Sequence, residues 1–319
     1  MVILGGTRFI GRAIVERLAH HHEVLVVHRG AHEPVGLTDV RHVHVDRAHL
    51  RDAGAELRAF SPDAVVDVSG MNAADAQSAL DVFGADLRFV AISSVDVYRA
   101  YASFHRGLPV EPVPLTESSP LRGPEHFHID RPDWENIEFE AVYLAVGGTA
   151  LRLGAVYGPH DAPSRVEFIL RRVRAERLRI PIGSGMLRFS RVYVHDVARA
   201  VARALFVDGV GGEAFNVCES QTWNYLEFAA RILAAASSDA ELVRVPGRTL
   251  PADMLITATF RQDLLADGTL GRDVLGWEET DRVEALQQSV RWHLDHPPSA
   301  PDPGFGPDDT ALSTLERES

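Results

Sequence analysis

Residues 2–11 read Val-Ile-Leu-Gly-Gly-Thr-Arg-Phe-Ile-Gly. The apolar run Val2-Ile3-Leu4 breaks at Gly5-Gly6, and Ile10, Ala13, Ile14 and Leu18 then recur at helical spacing. A strand, a glycine turn and a helix in that order cradle phosphates. Small residues let the backbone come close to the ligand, and the free N–H groups at the helix start attract negative charge. The next apolar run, Val24-Leu25-Val26-Val27, is unbroken and rich in β-branched residues, as in a strand covered on both faces of a parallel sheet. A glycine turn followed by a second buried strand predicts a nicotinamide dinucleotide held through its pyrophosphate by Gly5, Gly6, Thr7, Arg8, Phe9, Ile10 and Gly11.

Further strands are expected at 42–45, 64–68, 89–92 and 150–153, with helices at 73–83 and 133–144 between them. The alternation predicts βαβ units in an α/β fold, a doubly wound parallel sheet of the Rossmann type. After Tyr157 the rhythm changes. Helices are expected at 166–177 and 224–236, and a strand end running into a helix at 192–206. The expected organisation is a dinucleotide-binding domain over 1–157, rejoined by 189–215, and a smaller discontinuous substrate lobe from 158–188 and 216–296. Residues 297–319 are rich in Pro, Gly, Asp and Ser and are expected to be a disordered tail.

The 319 residues carry a formal net charge of −13, which opposes nucleic-acid binding. Arg171, Arg172, Arg174, Arg177 and Arg179 form a local basic run that reads as solvated surface. No stretch approaches the length of a membrane span and no basic leader precedes the first apolar run, so neither a membrane nor a secretory signal is expected. With Cys218 as the only cysteine an intramolecular disulfide is impossible, and a cytoplasmic protein is expected. All 32 basic residues are arginine, which excludes any mechanism needing a lysine from this chain. The histidines at 20–22 and His42 with His44 show no third ligand in metal spacing, so no metal is expected. Trp223, Tyr225 and Phe228 read as lobe core or as lining of a substrate cleft.

The chain resembles the short-chain dehydrogenase/reductase superfamily in its extended, atypical NAD-dependent epimerase/dehydratase branch, the group that includes chloroplast stem-loop-binding proteins. The likeness rests on Gly-Gly-Thr-Arg-Phe-Ile-Gly at 5–11, on Ser-Ser-Val-Asp-Val-Tyr at 93–98, on Leu-Gly-Ala-Val-Tyr-Gly-Pro at 153–159 and on Tyr-Val-His-Asp-Val-Ala at 193–198. It covers residues 1–295, with Arg8 where the family's turn has its middle glycine. The resemblance implies that Asp46 lies near the adenine and Gly154, Ala155, Val156 and Tyr157 near the nicotinamide. Arg47, Ser69, Gly70 and Ser93 complete the expected cofactor wall. It also implies that Ser94 orients a substrate oxygen.

The family's proton relay is a tyrosine with a lysine four residues later. Here the aligned positions hold Pro132 and Asn136, with Ile137 and Glu140 continuing the motif. Tyr101 is the one tyrosine with a titratable nitrogen, His105, at that spacing, and it comes too early in the chain. A replacement relay would draw on Asp96, Tyr98, Asp133 and Glu135, with His126, His128 and Asp130 close in sequence. At the end of the second strand His28 and Arg29 stand where NAD-selective sites place a carboxylate. Arg8 and Arg29 can converge on a 2′-phosphate, so NADP is expected as cofactor, with NAD the alternative. The expected activity is oxidoreduction or epimerisation/dehydration of a small hydroxyl, carbonyl or sugar-type substrate. The alternative is a dinucleotide-binding sensor or partner subunit without turnover. A homodimer, paired through helices at the sheet's flank, would match many relatives.

Overall fold

The computed structural model describes residues 1–31, 36–37, 39–104, 111–123, 134–162 and 164–318. Its strands are β1 (Val2–Leu4), β2 (Leu25–His28), β3 (Arg41–His44), β4 (Ala64–Asp67), β5 (Arg88–Ser94) and β6 (Thr149–Leu153). They continue with β7 (Ala155–Tyr157), β8 (Arg179–Ile182), β9 (Arg191–Tyr193), β10 (Ala214–Val217) and β11 (Glu241–Arg244). The helices are α1 (Phe9–Ala19), α2 (Gly54–Ala59), α3 (Ala73–Phe83), α4 (Arg99–Phe104), α5 (Asn136–Ala145) and α6 (Glu167–Arg174). After these come α7 (Val194–Ala204), α8 (Tyr225–Ala235), α9 (Thr269–Leu275), α10 (Arg282–Asp295) and α11 (Gly306–Glu318).

Seven strands form one sheet in the order β10-β6-β5-β4-β1-β2-β3, and every neighbouring pair is parallel. The central strands β1 and β2 are buried on both faces, which is why they read as unbroken apolar runs. Ile3, Val26 and Val66 face α1 and α7, which pack on each other, while Leu4, Val65 and Phe89 face α3 and α5. The order reverses between β1 and β4, leaving a crevice at their C-terminal ends where such sheets bind ligands. The edge strand β10 ends at Val217, so residues 216–217, read from sequence as lobe, belong to the sheet.

A parallel pair, β8 with β11, lies with α6, α8 and α10 in the smaller lobe. Asn224 and Glu227 form a reciprocal cap at the start of α8, each accepting the other's backbone N–H. Trp223, Tyr225 and Phe228 are all buried there. No described helix is long and apolar enough to cross a membrane.

Two sequence expectations are overturned at the C-terminus. The segment from 297 is not a disordered tail, because α11 covers 306–318 and buries Ala311 and Leu312. Nor are Arg171 and Arg172 solvated, being 9% and 0% exposed. Arg172 bonds Asp308 at 2.6 Å and Asp253 at 2.7 Å, while Arg171 bonds Asp302 at 2.9 Å and lies 4.5 Å from the Phe305 ring. The two misreadings have one cause. The tail's acids neutralise the helix's cations, and neither could be seen to need the other from composition alone.

Candidate functional site

The crevice holds a cleft of about 540 Å³ whose floor is the glycine turn. Gly5 has φ of +91°, open to glycine and strained for other residues, and its N–H bonds Val27 O at 2.9 Å. A Cβ on Gly11 would stand 2.0 Å from the Gly5 carbonyl oxygen, so only glycine lets α1 begin so near the turn. No side chain caps the first turn of α1. A bare helix start over a tight glycine turn fits the pyrophosphate of a dinucleotide. Thr7 and Arg8 line the cleft beside Arg29, and both arginines are exposed. Phe9 and Ile10 are half-buried in the first turn of the helix, and Gly6 is buried.

Beneath Gly5, a network centred on Asp67 fixes the loop after β4. One carboxylate oxygen accepts the N–H groups of Ser69 and Gly70, and the other accepts Arg47 Nη2 at 2.5 Å and the Tyr143 hydroxyl at 2.6 Å. Burial, with Asp67 next, pushes the Tyr143 pKa well up, so Tyr143 acts as a donor strut. Ser69 is exposed in the cleft, and Gly70 lies so near Phe139 that a Cβ would meet its ring at 2.0 Å. Arg47 lines the cleft but spends Nη2 on Asp67 and on the Asp75 carbonyl. Its Nε and Nη1 have no hydrogen-bond partner among the described residues. Asp46 is exposed at the cleft and accepts Ala48 N–H at 3.0 Å.

His28 also departs from expectation. It is buried at 8% exposure, its Nδ1 accepts the Gly30 N–H and its Nε2 lies 2.9 Å from His42 Nδ1. His42 Nε2 in turn lies 3.1 Å from Leu37 O, which makes His42 the donor there and sets the tautomers of both rings. Both nitrogens of His28 are engaged, and the exposed Arg29 that follows β2 brings its charge into the cleft.

At the C-terminal end of β5, Ser94 accepts the Asp96 N–H and is half-buried. Asp96 accepts Asn136 Nδ2 at 2.5 Å, Asn136 Oδ1 accepts Arg122 at 2.9 Å, and Arg122 forms a two-pronged pair with Glu135 at 2.8 and 3.0 Å. The side chain in the lysine position is thus built into a buried polar chain leading to Asp96. Arg122 carried no signal in the sequence, because its partners lie across a loop with no periodic pattern.

Glu135, expected in the relay, is instead the buried anion that holds Arg122, and it also accepts Ile137 N–H at the start of α5. Tyr98 is corrected too, since it is 0% exposed, donates to Asn216 at 2.7 Å and accepts Arg152 at 3.1 Å. Burial pushes its pKa up to about 12 against the pull of Arg152, so it holds its proton. Ser93 is buried, its hydroxyl without a partner among the described residues. Gly154 has no room for a Cβ, the Ser190 carbonyl lying 2.9 Å away. Ala155 is half-buried, and Val156 and Tyr157 are buried. The Tyr157 ring packs by Tyr193 and Phe228 in the lobe core, so that side chain is removed from the expected nicotinamide wall. Asp133, His105, His126, His128, Asp130 and Pro132 lie outside the described residues.

Residues 1–218 match the profile of the NAD dependent epimerase/dehydratase family. The chain belongs to that family. Among curated relatives of this family member, the "Chloroplast stem-loop binding protein of 41 kDa b, chloroplastic" of Arabidopsis thaliana is 25% identical over 98% of this chain and 84% of its own length. The "2'-dehydrokanamycin reductase" of Streptomyces kanamyceticus is 23% identical over 92% of this chain and 84% of its own. Among solved structures, dTDP-glucose 4,6-dehydratase from Bacillus anthracis in complex with NAD superposes with a TM-score of 0.70 at 15% identity, covering 92% of this chain and 96% of that one. The doubly wound fold is therefore that of epimerases and dehydratases.

Proposed function

We propose that this family member is an NADP-preferring oxidoreductase or epimerase/dehydratase of a small hydroxyl, carbonyl or sugar-type substrate, working without the usual tyrosine–lysine pair. The observation that carries the reading lies at the end of β5, where the Ser94 hydroxyl accepts the Asp96 backbone N–H and the Asp96 carboxylate is anchored through Asn136 to Arg122. The α1 start and the Gly5–Gly11 turn would hold the pyrophosphate, with Arg8 and Arg29 at the ribose end. When bound, the nicotinamide supplies or accepts a hydride. Ser94 orients the substrate oxygen, and Asp96, fixed by Asn136, takes its proton as the carbon gives up hydride and returns it in the reverse direction. The family match and the reductase relative support an enzyme of this class.

Turnover is to be followed by nicotinamide absorbance across nucleotide sugars, simple ketones and keto-aminoglycosides. Ser94→Ala is expected to lower kcat by about 10²-fold while the dinucleotide Kd stays put. Full activity in that variant removes Ser94 from the mechanism. Tight dinucleotide binding with no turnover on any substrate favours a sensor or partner subunit instead. On the cofactor, Arg8→Gln/Arg29→Gln is expected to weaken NADP by about 10- to 100-fold relative to NAD, as loss of charge-assisted bonds to a 2′-phosphate requires. Equal affinity of the parent protein for both dinucleotides refutes the preference.

A further inference from the structure

A second cleft, of about 650 Å³, opens on the lobe side between the end of β10, the start of α8 and residues 265–269. Residues 264–267 wall it off from the Ser94 site. Leu264 and Ala266 are buried in one cluster with Tyr98 and Tyr101, and Leu265, Ala266 and Asp267 line the cleft. Three helices each bring it an arginine: Arg231 from α8, Arg272 from α9 and Arg282 from α10. The guanidinium groups of Arg231 and Arg282 lie 4.7 and 4.8 Å from the centre of the same Trp223 ring. Arg282 bonds the Gln221 amide oxygen and Arg272 the Cys218 carbonyl. None of the three forms an ion pair with a carboxylate among the described residues, although the chain carries a net charge of −13 and neighbouring Arg188 is paired with Asp263.

The inner wall supplies an independent observation. Glu219 is 8% exposed and lines the cleft at its base. Behind it lie the buried Tyr157 hydroxyl and Arg191, both facing the same carboxylate. Cations at the rim and an acceptor at the base ask for a molecule with an anionic end and hydroxyl groups. The stacked indole keeps the two guanidinium planes ordered, so little entropy is lost when they close on an oxyanion.

We propose that this cleft is a second small-molecule site, binding a hydroxylated oxyanion, either a sugar phosphate or a sugar acid. Arg231 and Arg282 hold its anionic group, Arg272 stands beside them, and Glu219 receives a hydroxyl.

The test follows the Trp223 indole N–H resonance, assigned through Trp223→Phe, in protein saturated with dinucleotide. The probes are glucose 6-phosphate, glucuronate, glucose and inorganic phosphate. A saturable shift with an anionic sugar, absent with glucose, is expected, and which of the two anionic sugars binds names the source. Arg231→Gln, at an exposed position, and Arg282→Gln are each expected to raise Kd by about tenfold or more. Glu219→Gln should weaken the sugar ligand and leave inorganic phosphate alone. No shift with either anionic sugar overturns the proposal, as does undiminished binding in both arginine variants. Phosphate binding as tight as glucose 6-phosphate overturns the role of Glu219. Because the resonance reports this cleft alone, the outcome is independent of whether Ser94 and Asp96 carry out turnover.

Discussion

Gly11→Ala is expected to weaken NADP and NAD binding by at least about 100-fold, equivalent to about 2.7 kcal/mol, with the circular dichroism spectrum unchanged. The added methyl would stand 2.0 Å from the Gly5 carbonyl oxygen and 2.9 Å from its carbon, both backbone atoms that cannot rotate aside. The turn must open to admit it, and the N–H groups aimed at the pyrophosphate move with it. Displacement of positioning groups by about 1 Å is enough for losses of this size. Gly123→Ala is the control, since nothing lies within 4 Å of a Cβ there. Retained affinity in Gly11→Ala would mean that the phosphates are not bound over this turn.

Arg172→Met has the other large effect, on stability. Arg172 is fully buried and joins α6 to Asp253 and to Asp308 of α11, itself 1% exposed. Removing the cation leaves Asp308 buried and uncompensated, at a cost of about 3–5 kcal/mol. For a chain of 319 residues that lowers Tm by roughly 4–8 °C. Arg172→Met/Asp308→Leu is expected to recover most of the loss, because no bare charge then remains inside. A melting curve that does not move in the single variant would show the clasp to be dispensable.

How far the sequence announced this molecule depended on the range of the interactions involved. The glycine turn was legible because its strand, its turn and its helix are neighbours in the chain, and the sheet because burial on both faces leaves unbroken apolar runs. What escaped was set by partners far apart. Arg172 and Asp308 are separated by 136 positions, so an arginine-rich helix passed for surface and an acidic, proline-rich segment for a loose tail. Tyr98 and Tyr157 sit in motifs whose spacing says nothing of where a ring will pack, and both turned inward. Asn136 marked the vacated lysine position plainly, yet the guanidinium behind it came from Arg122, which follows no recognisable pattern.

The clasp also sets an order of events in synthesis. Because Asp308 is made 136 residues after Arg172, a ribosome adding about 5–20 residues per second leaves that guanidinium without its inner counter-ion for roughly 7–27 s. The contact that ties α6 to α11 therefore forms only after α11 has left the ribosome, well after Asp253 has become available to the same guanidinium.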